Sequence, residues 1–84
     1  MTENEILERL ADLIQRTFQD DTVDVSRETT ALDVDGWDSL SHTVLILRVE
    51  TTFGITIPVE QVVSLRNVGD LVEAIFKISL NDAR

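Results

Sequence analysis

Asp38 and Gly54 enclose the fifteen residues "SLSHTVLILRVETTF", and this framing constrains the chain more than any other feature. An aspartate just before a helix accepts hydrogen bonds from the unpaired N–H groups of the first turn. A glycine just after one takes the left-handed conformation that closes it. Between them stand no proline and no glycine, so a helix over 39–53 is predicted. Its apolar residues form two stripes. Leu45, Ile46, Val49 and Phe53 make one, with His42 at the same spacing; Leu40, Val44 and Leu47 make the other. A helix in a small bundle needs one apolar face. The second stripe is either additional core or an exposed docking surface.

Three further segments read as helical. "TENEILERLADLIQRTF" opens with Thr2 and Glu5 in capping-box spacing, and Ile6, Leu10, Leu13, Ile14 and Phe18 recur at the helical period, giving a helix over about 3–18. Pro58 forces Ile57 into an extended conformation, after which "VEQVVS" holds a short helix over 59–64. Asn67 and Asp70 cap a last helix over about 68–80, with Val68, Leu71, Val72, Ile75 and Ile78 on its core side. Residues 19–37 show neither helical nor strand period. A connection of that length is uncommon in a compact domain and usually serves function. Val23, Val25 and Leu32 are expected to pin it to the core, and Gly36 to turn it into the second long helix. The expected fold is all-α: a four-helix bundle of three longer helices and one short third helix, in a single domain over 1–84.

Eighty-four residues bury about 60% of their unfolded surface, enough for one small core and not for a deep catalytic cleft. There is no cysteine for a disulfide or a thiolate metal site, and a lone histidine makes a metal site improbable on other ligands. No apolar run approaches the roughly 18 residues of a membrane span, and the N-terminus lacks a basic signal region, so a cytoplasmic location is expected. The net charge is −9 and uneven. Residues 1–38 hold 11 acids against three arginines, net −8, whereas 39–84 are close to neutral. Such a field disfavours nucleic acid and anionic membrane and suits partners with basic faces; it also simply keeps a small protein soluble.

The stretch "DGWDSLSH" concentrates the only tryptophan, the only histidine and Ser39 beside an acid. Three readings of Ser39 compete: nucleophile, ordinary first-turn residue, or attachment point. A catalytic triad needs histidine bonded to serine and an acid orienting the histidine, but Asp38 is committed to capping and the nucleophile-elbow pattern is missing. A serine at a helix start is common and often means nothing chemical. Yet this one stands where the helix dipole and free N–H groups favour a phosphate, after a long acidic connection and before a spare apolar stripe. Those features suit a serine modified by another enzyme. Trp37 anchors the loop end or faces a partner. His42 is a partly exposed helix residue or touches whatever is attached at Ser39.

"GWDSLSHTVLILRVETTFGITIP" resembles the acyl carrier proteins, through Asp38-Ser39-Leu40 at a helix start, Phe53-Gly54-Ile55 at its end and Ile57-Pro58 after it. The resemblance covers nearly the whole chain. It implies that Ser39 carries 4′-phosphopantetheine, transferred from coenzyme A by a phosphopantetheinyl transferase with Mg²⁺, and that acyl groups ride on the arm as thioesters. It implies no catalytic residue in the chain itself. Asp38, Leu40 and Leu65 would lie about the arm. Trp37, Leu40, Val44, Leu47, Glu50 and Thr51 would meet partner enzymes: an acyl-loading ligase or acyltransferase, a ketosynthase and other acyl-processing enzymes of fatty-acid, polyketide or related biosynthesis. A monomer is expected.

Two departures from the family pattern stand out. Ser41, Val44 and Thr51 fall where fatty-acid carriers often have acids, and Arg48 adds a positive charge, so docking through the apolar stripe competes with docking through charge. Trp37 replaces a smaller residue, as in carriers of specialised pathways. An aminoacyl or peptidyl carrier of the same fold, and an unmodified helical interaction module, are the alternative readings.

Overall fold

A computed structural model describes residues 1–82; Ala83 and Arg84, the end of the expected 1–84 domain, lie outside the described residues. Helices α1 (Glu3–Thr17), α2 (Ser39–Phe53), α3 (Val59–Ser64) and α4 (Val68–Asp82) follow in order, with one 3₁₀ turn at Ala31–Asp33 in the long first connection. The protein is an all-α four-helix domain, and the described residues contain no strand. α1 packs against both α2 and α4. Ile6, Leu10 and Ile14 from α1 meet Leu45, Ile46 and Val49 from α2 and Val68, Leu71, Val72 and Ile75 from α4, with Ile55 and Ile57 closing one end. α3 contributes no buried residue.

Each long helix begins where its capping chemistry places it. Thr2 accepts from the Glu5 N–H at 3.2 Å, and the Glu5 carboxylate accepts from the Thr2 N–H at 3.0 Å. α4 runs two residues past the expected end at Leu80, because the polar "ND" includes neither glycine nor proline to stop it. α2 ends on Gly54, whose φ of 66° is left-handed. α1 ends the same way without a glycine. Gln19 has φ 53°, the Gln19 N–H donates to the Arg16 carbonyl and the Asp20 N–H to the Gln15 carbonyl, the two bonds of a Schellman ending. A side chain in that conformation costs about 1 kcal/mol. Gln19→Gly is therefore expected to raise stability by roughly 0.5–1 kcal/mol, read as a rise in thermal midpoint of a few degrees. An unchanged or lower midpoint would contradict the strain.

The first connection is held differently from the sequence expectation. Val23 and Val25 are half-buried, but Leu32 is 97% exposed. The 3₁₀ turn explains it: the Asp33 carboxylate accepts from the Thr30 N–H at 2.9 Å, and the tight turn so formed faces Leu32 outward. Val34, just after the turn, is the residue buried in its place. The middle of the connection is fixed by backbone. The Thr29 carbonyl accepts from the Val68 N–H at 2.9 Å and the Arg27 carbonyl from the Gly69 N–H at 2.8 Å. A β-carbon on Gly69 would come within 3.0 Å of the Arg27 carbonyl oxygen, so only glycine lets the loop lie this close. Arg27 also pairs with Glu3 at 3.1 Å and Glu73 at 3.7 Å, half-exposed contacts of at most about 1 kcal/mol each.

Candidate functional site

The loop returns to α2 through Gly36, whose φ of 86° places the turn outside the range of most side chains. Asp38 then caps the helix. Its carboxylate accepts from the Ser41 N–H at 3.0 Å, and the Ser41 hydroxyl oxygen accepts from the Asp38 N–H at 2.8 Å. The Ser41 hydroxyl itself donates to the Gly36 carbonyl at 2.6 Å, tying turn to helix. Hydrogen bonds from the Ser41 backbone, then from its side chain, hold the Asp38 carboxyl below the usual carboxylate range.

Asp20 is lowered by Thr22, Glu5 by Thr2 and Asp70 by Arg66, three further carboxylates at helix or turn ends. The sign follows directly. A carboxyl with a depressed folded-state pKa stabilises the fold above its unfolded pKa and loses that contribution as pH falls through the folded value. Thermal midpoints are expected to be flat from neutral pH down to about pH 5 and to fall below about pH 4. Asp38→Asn, which keeps the cap and removes the charge, should flatten part of that fall. A midpoint that is steady to pH 2 would refute the assignment.

Ser39 is the next residue, exposed, at the first position of α2. Among the described residues its hydroxyl has no hydrogen-bond partner, and neither has its backbone N–H. Asp38, Ser39 and His42 are not wired as a triad. The Asp38 carboxylate is held by Ser41, and His42 Nδ1 accepts from Trp37 Nε1–H at 3.0 Å. Among the described residues no acid orients the imidazole and no base reaches the serine.

The Trp37–His42 pair escaped the sequence reading, although a signal existed. With Asp38 as cap, Trp37 and His42 occupy the two positions of a hydrophobic staple, one before the cap and one in the second turn. Here the staple is a hydrogen bond. Trp37 is half-buried and stacks on Phe18 with ring centroids 5.2 Å apart, so the start of α2 is anchored to the end of α1. His42 lies across the indole at 6.1 Å and 24°.

Ser39 and His42 open on a cleft of about 500 Å³. Its other walls are Thr29 and Ala31 from the loop and Val62, Leu65 and Val68 from α3 and beyond. Leu65 is half-buried and lines this space. The second stripe of α2 is not core. Leu40 is 76%, Leu47 57% and Val44 38% exposed, and Val59 and Val63 of α3 add to the exposed apolar surface. Thr51 is exposed as well. Glu50, placed by spacing on the outer face, is engaged elsewhere: half-buried, it accepts from the Ile57 N–H at 2.7 Å and so holds the segment before Pro58. Among the described residues no cluster of histidine and carboxylates is arranged for a metal ion, and no helix is long and apolar enough to cross a membrane.

The molecule is thus a small helical bundle with an accessible serine at a helix start beside a largely apolar cleft. Residues 8–75 match the family described as the phosphopantetheine attachment site. The acyl carrier protein of Lactobacillus johnsonii is 33% identical over 75 residues, which cover 89% of this chain and 94% of that one. That of Acidothermus cellulolyticus is 36% identical over 75 residues, 89% of each. The meromycolate extension acyl carrier protein of Mycolicibacterium smegmatis is 34% identical over 77 residues, 92% of this chain and 78% of its own. In structure, the holo acyl carrier protein of Geobacter metallireducens superposes with a TM-score of 0.85 at 36% identity, over 92% of this chain and 88% of that one. The chain belongs to the acyl carrier protein family. It is a carrier and not an enzyme, its prosthetic group is 4′-phosphopantetheine, and it works by interacting with biosynthetic enzymes.

Proposed function

We propose that Ser39 bears the 4′-phosphopantetheine arm and that residues 1–84 act as one carrier domain. The observation that carries this reading is the Ser39 hydroxyl, exposed, without a partner among the described residues, and at the mouth of an apolar cleft. The residues fit the group. The unpaired Ser39 N–H at the positive end of α2 suits a phosphodiester. The cleft of about 500 Å³ beside Trp37, Val62 and Leu65 is largely apolar and offers room for part of a tethered chain. When bound, the group supplies a terminal thiol that holds an acyl chain as a thioester.

The chain's own residues position and present. Asp38 and Ser41 fix the first turn, Trp37 and Phe18 fix that turn against α1, and no local base activates Ser39, so activation falls to a phosphopantetheinyl transferase. Leu40, Val44, Leu47 and Thr51 form the docking face, with Trp37 at its edge. Partners are an acyl-loading ligase or acyltransferase and a ketosynthase or other acyl-processing enzyme, in fatty-acid, polyketide or related biosynthesis in the cytoplasm. A tether keeps the cargo at high effective concentration beside each docked enzyme. Incubation with coenzyme A, Mg²⁺ and a broad-specificity phosphopantetheinyl transferase is expected to add one arm to the intact mass, with the modified peptide spanning Ser39. A protein that stays at its unmodified mass, or that is modified elsewhere, sinks the reading.

A further inference from the structure

The tryptophan–histidine pair does more than close a turn. An indole N–H only donates, so His42 Nδ1, which it faces at 3.0 Å, must be the unprotonated acceptor. In a neutral imidazole that leaves the proton on Nε2. Nε2 has no partner among the described residues and is not a buried orphan, so it is open to the cleft or to solvent. His42 lines the same cleft as Ser39 and stands three residues after it, on the same face of α2. The imidazole is thus held with its acceptor edge against Trp37 and its donor edge free, on the helix face and cleft that Ser39 shares.

The surroundings are acidic. Asp38 adjoins Ser39, Asp33 and Asp35 lie in the preceding loop, and the whole chain carries −9. A phosphodiester at this point adds another negative charge. Among the described residues the one cation lining the cleft is Arg66, whose Nε–H donates to Asp70 at 3.0 Å. A neutral N–H aimed at the phosphate offsets part of that repulsion without introducing a charge of its own.

Resting on the assignment of the arm to Ser39, we infer that His42 donates its Nε2–H to a phosphodiester oxygen of the arm, and that Trp37 is the positioning residue that sets the tautomer. Trp37 holds the ring by stacking between Phe18 and His42 and selects its protonation pattern through a single hydrogen bond. The arm is thereby given a preferred direction where it leaves Ser39.

The test uses the full chain, with and without the arm, labelled with nitrogen isotopes in histidine. Intact mass first reports loading; if no arm is added, the Ser39 assignment fails and the question of His42 falls with it. With the arm attached, imidazole nitrogen NMR should show Nδ1 unprotonated and Nε2 protonated, and the Nε2 signal should move between apo and holo protein. Phosphorus NMR of the holo protein should shift in His42→Phe, return towards wild type in His42→Gln, which restores a donor at the distal position, and shift in Trp37→Phe, which keeps a ring on Phe18 but removes the indole N–H. A purely structural role moves thermal midpoints and leaves the phosphorus signal in place. A loaded protein with the proton on Nδ1, or with the same phosphorus signal in wild type and His42→Phe, overturns the inference.

Discussion

Ser39→Ala is expected to abolish arm attachment completely while leaving the fold as stable as before or slightly more so. The asymmetry follows from what the hydroxyl does in the unmodified protein, where it has no partner among the described residues. Removing it therefore orphans no polar group, and alanine is the better helix former. Function is lost outright because the nucleophilic oxygen is the bond to be made. Ser41 supplies the contrast two residues away. Its hydroxyl accepts from the Asp38 N–H and donates to the Gly36 carbonyl, and its N–H is held by the Asp38 carboxylate. Ser41→Ala is expected to lower stability by about 1 kcal/mol, the usual effect of damaging a cap, and still to load fully. Intact mass after incubation with the transferase and thermal melts of both variants separate the two serines. A Ser39→Ala protein that still gains the arm's mass removes the proposed site.

Leu45→Ala and Leu47→Ala are expected to fail in opposite ways. Leu45 is fully buried in the core, so its truncation removes apolar contact and leaves a cavity, at about 3 kcal/mol. A domain of this size has roughly 5–10 kcal/mol in all, and the thermal midpoint should fall on the order of 15 °C. Leu47, 57% exposed on the second stripe, should change stability by less than about 0.5 kcal/mol. Its effect should appear in kcat/KM of a partner enzyme with the carrier as varied substrate. A loss of about tenfold is expected, the scale of truncating one leucine in an interface. Apolar docking also predicts that this kcat/KM changes little between low and moderate salt. If Leu47→Ala leaves loading and every acyl-processing partner unaffected, the stripe is not the docking face.

The helices were legible in the sequence because their evidence is local. Caps at Thr2, Asp38 and Asn67, a left-handed glycine at Gly54 and the 3.6-residue period act over a few residues and need no knowledge of the rest of the chain. The long connection was legible only as a gap. Whether Leu32 or Val34 turns inward depends on a 3₁₀ turn that leaves no periodic trace. Of the candidate site, Asp38 as the cap and Ser39 as the first helical residue could be argued from spacing, but spacing left Leu40 and Leu47 open between core and docking surface, because a second apolar stripe looks the same in sequence either way. Glu50 could not, because helical spacing gives the direction of a side chain and not what it reaches: the partner is a backbone N–H seven residues on. His42 stayed unexplained until its ring was seen against Trp37, a pair divided by the helix cap and so absent from the helix's own period.

The backbone bonds from Arg27 and Thr29 to the start of α4 have a consequence for the order of events in synthesis. Ser39 leaves the ribosome early, as an ordinary serine in a growing chain. The loop that forms one wall of its cleft is bonded through its backbone to the N–H groups of Val68 and Gly69, and α1 has its packing partner α4 only when residues 68–82 have been joined. A transferase that reads the folded surroundings of the serine must therefore wait until α4 has been made. Chains abandoned before α4 would carry the serine but not its setting.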